Sequence, residues 1–520
     1  MSSRDDYGNT LLREELSYST REMKNEFEGL RRNLNEEHTR VFEAVMRSVE
    51  DSKGGLFFVY GSGGTGKTYL WRTIITALRA QSKIVLAVAS SGIASLLLPG
   101  GRTAHSQFKI PFKLYDNSTC TVNKKSDLAE LICKADLIIW DEAPMINKHA
   151  LEALERTVTD IMTKDDTVSP KPIFGGKTLL LGGDFRQILP VIQKGSREMI
   201  VDSSISRSKL WKHFKIFKLS TNMRLMNADS DDAQQQEIAD FGKWVLDVGD
   251  GKIPISETKD DSTWIQIPDD LLVKCDNGDY INTIVESTYP SLLERYVDYR
   301  SLEERCILAP TNESADQINE HMISLIPGED HVFRSADSIS PETSDFQSKE
   351  VFYTNEFLNS LTFSGFPNHE IYLKVGIPIM LLRNLKQSEG LCNGTRLIVT
   401  QIAGKVIQAE ILTGKGRGKR VFIHRVVLEP SNTGLPIILR RRQFPIKVCF
   451  AMTINKSQCQ SLPIVGIYLE KPVFSHGQLY VAVSRTTSRQ GLKILIKRGE
   501  DDPEGYTQNI VYKEIFSNLS

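Results

Sequence analysis

A chain of 520 residues can bury two to four cores, and its 40% apolar and 25% charged residues have the balance of a globular protein. A formal net charge of -1 excludes a global basic field, so any surface for nucleic acid has to be local. The seven cysteines form no C-x-x-C and no Cys/His cluster, which argues against a disulfide framework or a zinc site, and no apolar run nears the roughly 18 residues of a membrane span.

The first element with chemistry is the apolar strand Leu56-Phe57-Phe58-Val59-Tyr60, which runs into Gly61-Ser62-Gly63-Gly64-Thr65-Gly66-Lys67-Thr68. This is a complete G-x-x-x-x-G-K-[ST] phosphate loop. Gly61, Gly63, Gly64 and Gly66, with Thr65 between, let backbone N-H groups curl around a β-phosphate; Lys67 reaches the β/γ oxygens, and the Thr68 hydroxyl holds Mg²⁺. A helix from Tyr69 to Ala80 is predicted next, with Leu70, Ile74, Ala77 and Leu78 on one face.

Further strands are predicted at Ile84 to Val88, Leu137 to Trp140, Leu179 to Leu181, Cys306 to Ala309, Val465 to Leu469 and Leu492 to Ile496. Their alternation with helical patterns indicates parallel α/β layers. The strand ending at Trp140 delivers Asp141 and Glu142, adjacent carboxylates that can divide labour between a Mg²⁺ shell and an attacking water. The strand ending at Leu181 delivers Gly182-Gly183-Asp184-Phe185-Arg186-Gln187, where an amide beyond a strand tip can sense a γ-phosphate. Arg224 and Arg485 have no carboxylate at helical spacing and are candidates for stabilising charge on that phosphoryl group. Polar stretches at 227–236, 258–263 and 328–350 read as loops or linkers.

Taken in order, the phosphate loop, Ser90-Ser91-Gly92-Ile93-Ala94 with Thr103-Ala104-His105-Ser106, Asp141-Glu142, Gly182 to Gln187, Ala451 to Gln458 and Tyr480 to Thr486 resemble the superfamily-one DNA helicases of the petite-integration-frequency (Pif) family. The segments Leu391 to Arg396 and Arg440-Arg441-Arg442-Gln443-Phe444-Pro445 resemble its plant subset related to Helitron transposons. The likeness implies two RecA-like parallel-sheet domains with ATP between them and single-stranded DNA across their top. The expected division is 1–33 as an extension, 34–222 as the first domain, 223–390 and 441–520 as the second, and 391–440 as a small Src-homology-three-like β-barrel inserted in it. By the same likeness, DNA contacts fall on Ser91, Gly92, Thr103, His105 and Phe108, and on Thr453, Lys456 and Ser457, with Phe108 offering a ring for base stacking. Arg440 to Arg442 and Lys415 to Arg420 would add local positive charge.

Two positions depart from the family pattern. His38 in Leu34 to His38 stands where the adenine-reading motif ends in Gln, and Cys459 stands where relatives carry Gly. The expected activity is an ATP-dependent, Mg²⁺-requiring DNA helicase moving 5′ to 3′ on single strands and at duplex junctions as a monomer. The alternative is a DNA-binding remnant that has lost catalysis. The nucleus is the expected compartment, with the mitochondrion as alternative.

Overall fold

The computed structural model describes residues 8–163, 170–223, 232–253, 263–296, 299–343, 353–430, 434–499 and 503–519. The chain folds into two compact units, one made of Met1–Lys252 with Ser475–Tyr480 and Asn509–Ser520, the other of Ile253–Phe474 with Val481–Gln508.

The first unit is built on six parallel strands: β1 (Gly55–Gly61), β2 (Val85–Ala89), β3 (Arg102–Thr103), β4 (Leu137–Asp141), β5 (Thr178–Gly183) and β6 (Lys215–Leu219), in the order β3-β2-β4-β5-β1-β6. The inner strands β2, β4 and β5 are buried along their whole length, as expected of a parallel sheet covered on both faces. Helix Lys67–Ala80 covers one part with Leu70, Ile74, Ala77 and Leu78 inward, the face read from the sequence.

From Asn9 onward, the stretch expected as an extension is part of this unit. Asn9 caps helix Thr10–Leu16, and Glu15 meets the buried Arg79 guanidinium at 3.0 Å while the Tyr18 ring lies 3.8 Å beneath it. The following helix, Thr20–Arg31, is tied down by Tyr69, whose hydroxyl donates to Leu30 O at 2.7 Å. At the other end, residues 509–519 return to the same core: Tyr512, Ile515 and Leu519 join it, Trp211 Nε1 donates to Asn518 O at 2.9 Å, and Arg197 grips Glu514 with two hydrogen bonds of 3.0 and 2.8 Å.

In the second unit, four parallel strands run in the order Ala451–Thr453, Arg305–Ala309, Ile464–Leu469, Leu492–Ile496. Beside them stands an antiparallel sheet in the order Arg420–His424, Val406–Ile411, Arg396–Ala403, Pro378–Leu381, Ile446–Val448. Its last two strands lie outside 391–440, because Pro378–Leu381 and Ile446–Val448 pair with each other and extend the ladder on both flanks of the expected insertion. The polar stretch 328–350 also carries structure: His331–Arg334 and Ala336–Ile339 are strands, anchored by buried Phe333 and Ile339. Of the stretch 227–236, residues from Asp232 begin helix Asp232–Asp250, whereas 258–262 lie outside the described residues.

Candidate nucleotide and nucleic-acid site

Within the first unit, the sequence candidates gather at the C-terminal ends of adjacent parallel strands, where ligands of open α/β sheets bind. The phosphate loop follows β1, Asp141 closes β4, and the turn to Gln187 follows β5. Ser91 and Gly92 follow β2, and Thr103 closes β3, with Ala89 in register with both Asp141 and Thr103.

The loop is pre-shaped. Gly66, at φ +80°, caps helix Lys67–Ala80, and a Cβ on it would come 2.8 Å from His38 Cε1. Lys67 is buried, its Nζ donating to Gly61 O and, at 3.0 Å, to Ser62 O; Thr65 Oγ1 donates to Ser62 O at 2.9 Å.

His38 is not placed to read a base by its Nε2 edge, contrary to the expectation for the adenine motif. It is fully buried, and Nε2 lies 2.8 Å from Thr65 O, an acceptor, so Nε2 carries the proton and the ring braces the loop. Its Nδ1, buried and without a hydrogen-bond partner, is left as the acceptor.

Asp141 is 3% exposed, and burial raises its carboxyl above the ordinary range, with Lys67 acting in the opposite direction. Glu142 next to it sits at φ +52°, ψ +38°, a left-handed conformation that a side chain adopts at a cost. This outlier falls at the tip of the carboxylate strand. Thr68 and Asp141 offer two hard oxygens, and no cluster of three or more His, Cys, Asp or Glu that could hold a metal occurs among the described residues. That donor set fits Mg²⁺, which takes one or two protein oxygens and completes its shell with phosphates and water.

For nucleic acid, Ser91 caps helix Gly92–Leu97 by accepting from Ala94 N at 3.2 Å, which fixes Gly92 at a helix start. Thr103 precedes helix Ala104–Phe108, and His105 stands half-buried, its pKa lowered by burial. Phe108 does not present a ring to a base. It is 0% exposed, packed in the core 6.4 Å from Trp140, because the short helix turns that side inward. Sequence reasoning missed the ring that is exposed: Phe112, 89% accessible, stacks on His105 with centroids 6.2 Å apart and planes at 17°, and Tyr115 is 66% accessible nearby in the chain. The signal available was Lys109 to Tyr115, a loop where apolar rings alternate with lysines and no core period applies.

In the second unit, Thr453 ends a strand and precedes the turn Ile454–Ser457. Lys456 Nζ donates to Asn393 Oδ1 at 3.2 Å, and its pKa is lowered by burial first, then by the neighbouring Arg383 and Lys447 cations. Ser457 is fully buried and its hydroxyl donates to Ile454 O at 2.7 Å, so it serves the turn rather than a phosphate. Arg485 is buried just past helix Gln478–Val483, with Nη1 donating to Ser457 O and Gln460 O, both at 3.2 Å, and Nε to Val481 O at 2.8 Å. Arg441, expected to add surface charge, is 0% exposed and bonds both Asp337 oxygens at 2.7 to 3.0 Å. Arg224 lies outside the described residues.

Comparison with known proteins bears on the family and the fold. The PIF1-like helicase model matches residues 33–259, and the model of the DNA helicase Pif1 2B domain matches residues 356–402. The chain is 27% identical over 469 residues to the ATP-dependent DNA helicase PIF1 of Homo sapiens, covering 89% of this chain and 60% of the relative, and 25% identical over 455 residues to the ATP-dependent DNA helicase Pif1 of Campylobacter jejuni, covering 84% and 88%. It thus spans about 60% of the length of the human relative. Two crystal structures share the fold: Bacteroides Pif1 bound to ssDNA, with TM-score 0.61, 21% identity and coverage of 91% and 99%, and Pif1 helicase from Candida albicans, with TM-score 0.60, 22% identity and coverage of 94% and 99%. With a phosphate loop, a carboxylate pair and a glycine-aspartate-glutamine turn on one parallel sheet, and with the two family models matched in order along it, the chain is similar to the PIF1-like helicases over residues 33–259 and to their 2B domain over residues 356–402.

Proposed function

We propose that this protein is an ATP-dependent DNA helicase that moves along single-stranded DNA, 5′ to 3′, and opens duplex junctions as a monomer. The observation that carries the reading is the convergence of the Lys67 loop, Asp141-Glu142 and the Gln187 turn on the ends of β1, β4 and β5. Relatives named as ATP-dependent DNA helicases support it, as does the solved Bacteroides Pif1 with ADP-AlF3 and ssDNA.

In this reading Lys67 leaves the Gly61 and Ser62 carbonyls for the β/γ oxygens of ATP, and Thr68 and Asp141 hold Mg²⁺, which neutralises charge on those phosphates when bound. Glu142 orients the attacking water and takes its proton. Gln187 senses the γ-phosphate. Arg485, with Arg224, stabilises the transferred phosphoryl group, for which Nη1 must give up the carbonyls of Ser457 and Gln460. On the nucleic-acid side, Ser91, Gly92, Thr103, His105, Thr453 and Lys456 hold the backbone, and Phe112 takes the stacking role expected of Phe108. The reading assigns the protein to repair and recombination or to transposition.

The test is ATP turnover with and without oligo(dT), together with unwinding of forked duplexes carrying either a 5′ or a 3′ tail. Stimulation by the oligonucleotide and unwinding from the 5′ tail are expected. ATP turnover indifferent to single strands would overturn the helicase reading, and DNA binding with no turnover would establish the remnant instead.

A further inference from the structure

The turn Asp184 to Gln187 is held by far more than a turn requires. His476 accepts from Tyr512 N at its Nδ1, 2.8 Å away, which leaves Nε2-H to donate to Phe185 O, also at 2.8 Å. Gly477, at φ +70°, lies so close that a Cβ there would be 2.1 Å from Arg186 O and 2.8 Å from the Gln187 carbonyl. Tyr480 donates its buried hydroxyl to Asp184 Oδ2 at 2.6 Å. The other Asp184 oxygen accepts from Arg186 N at 3.1 Å, and Arg186 Nε in turn donates to Asp250 at 2.5 Å. Room for this network is kept by Gly249, where a Cβ would stand 2.6 Å from the Tyr480 ring and 2.8 Å from Arg186 Cδ.

Two chemical candidates are joined by this grip. Gln187 N donates to Asp184 O at 3.2 Å, so the backbone of the sensor turn moves with Asp184. On the other side, Tyr480 lies in helix Gln478–Val483, and Arg485, five residues further on, is tied to the same helix through Nε and Val481 O. A short, buried, charge-assisted bond is stiff, and separating it would strand a carboxylate oxygen away from water.

We infer that Tyr480 is a positioning residue: through Asp184 it makes the Gln187 turn and the helix Gln478–Val483, with Arg485 held just past its end, respond together to the γ-phosphate. The inference rests on the proposed function and adds to it the part that converts nucleotide state into a change of grip on DNA. Because linkage is reciprocal, the same bond lets bound DNA favour the nucleotide-engaged position of Arg485.

The experiment uses the full chain and reads the dissociation constant of fluorescent oligo(dT) with and without a non-hydrolysable ATP analogue, the affinity of the analogue itself, and kcat and KM for ATP. Tyr480→Phe is expected to keep analogue affinity and KM within about twofold, to lose at least tenfold in kcat, and to bring the nucleotide-dependent change in oligo(dT) affinity to within about twofold of none. Gly249→Ala, which displaces the Tyr480 ring and removes no polar group, is expected to do the same. Asp184→Asn keeps one acceptor oxygen, for the Tyr480 hydroxyl at the expense of Arg186 N, and is expected to preserve most of the coupling. If Tyr480→Phe fails to fold, the Gly249→Ala and Asp184→Asn pair decides, since a purely structural bond predicts no difference in coupling between them. A folded Tyr480→Phe, or Gly249→Ala, with wild-type kcat and wild-type nucleotide-dependent DNA affinity overturns the inference and leaves the helicase reading standing. A wild type without DNA-stimulated turnover sinks the helicase reading and this inference with it.

Discussion

Replacing Cys459 by glycine should stabilise the second unit. Gln458 lies at φ -53°, ψ +141°, Cys459 follows at φ +63°, and Gln460 N closes the turn by donating to Ser457 O at 3.1 Å. Those angles are a type II turn with Cys459 at its third position, which requires positive φ and favours glycine. A Cβ in the left-handed region costs about 1 to 2 kcal/mol, and glycine gives back about 0.5 to 1 kcal/mol through its freer unfolded chain. The net gain is about 0.5 to 1 kcal/mol, which for a unit of this size raises the melting temperature by about 1 to 4 °C. Differential scanning calorimetry of the wild type, Cys459→Gly and Cys459→Ala checks it. Alanine keeps the Cβ and should gain nothing, so equal stabilisation by both variants would refute the turn argument and point to the thiol. A loss of stability in Cys459→Gly would refute it outright. Since Arg485 holds the carbonyls on either side of this turn, any change in kcat should accompany the change in stability.

Four further outcomes are expected. Lys67→Ala should abolish ATP turnover while leaving oligo(dT) binding within a few-fold of wild type, as measured by anisotropy. Phe108→Ala should lower stability by about 3 to 5 kcal/mol in urea titrations, the cost of emptying a core site, whereas Phe112→Ala should leave stability unchanged and weaken oligo(dT) binding by about 1 to 3 kcal/mol, the worth of one stacked base. Arg441→Ala should cost about 3 to 5 kcal/mol in the same titration by stranding the buried Asp337 carboxylate, where a surface arginine would cost almost nothing. The buried His476, held neutral with its pKa depressed to about 4, should make the first unit acid-sensitive. The unfolded imidazole takes up a proton near pH 6.5 and the folded one does not until about 4, so stability present above pH 6.5 is lost as pH falls toward 4, by about 3 kcal/mol. A His476→Gln variant should show a flatter urea midpoint between pH 7.5 and 5 than the wild type.

The phosphate loop and the strand tips of the first unit were legible because local rules decide them. A phosphate loop needs glycines and a lysine at fixed spacing after a strand, and apolar runs of five residues ending in polar groups define strand tips without reference to the rest of the chain. What was not legible depends on which face a short segment turns inward. Phe108 and Phe112 are equally plausible as stacking rings in sequence, and only the packing of a five-residue helix against Trp140 separates them. Arg441 sits between two arginines in a run that reads as surface charge, but strand alternation buries the middle one against a carboxylate more than 100 residues away. His38 illustrates a third limit, since its partner is a backbone carbonyl, Thr65 O, which no side-chain pattern records. The assignment of residues 475–480 and 509–519 to the first unit is a long-range pairing of the same kind.

That pairing sets an order of events during synthesis. Tyr512, Ile515 and Leu519 belong to the core on which the phosphate loop is mounted, yet they leave the ribosome after the whole of the second unit. The loop, made within the first 70 residues, therefore waits some 440 residues for the last pieces of its own support. A nascent chain halted anywhere in between would carry the phosphate loop on an unfinished core, with apolar surface exposed to chaperones and proteases.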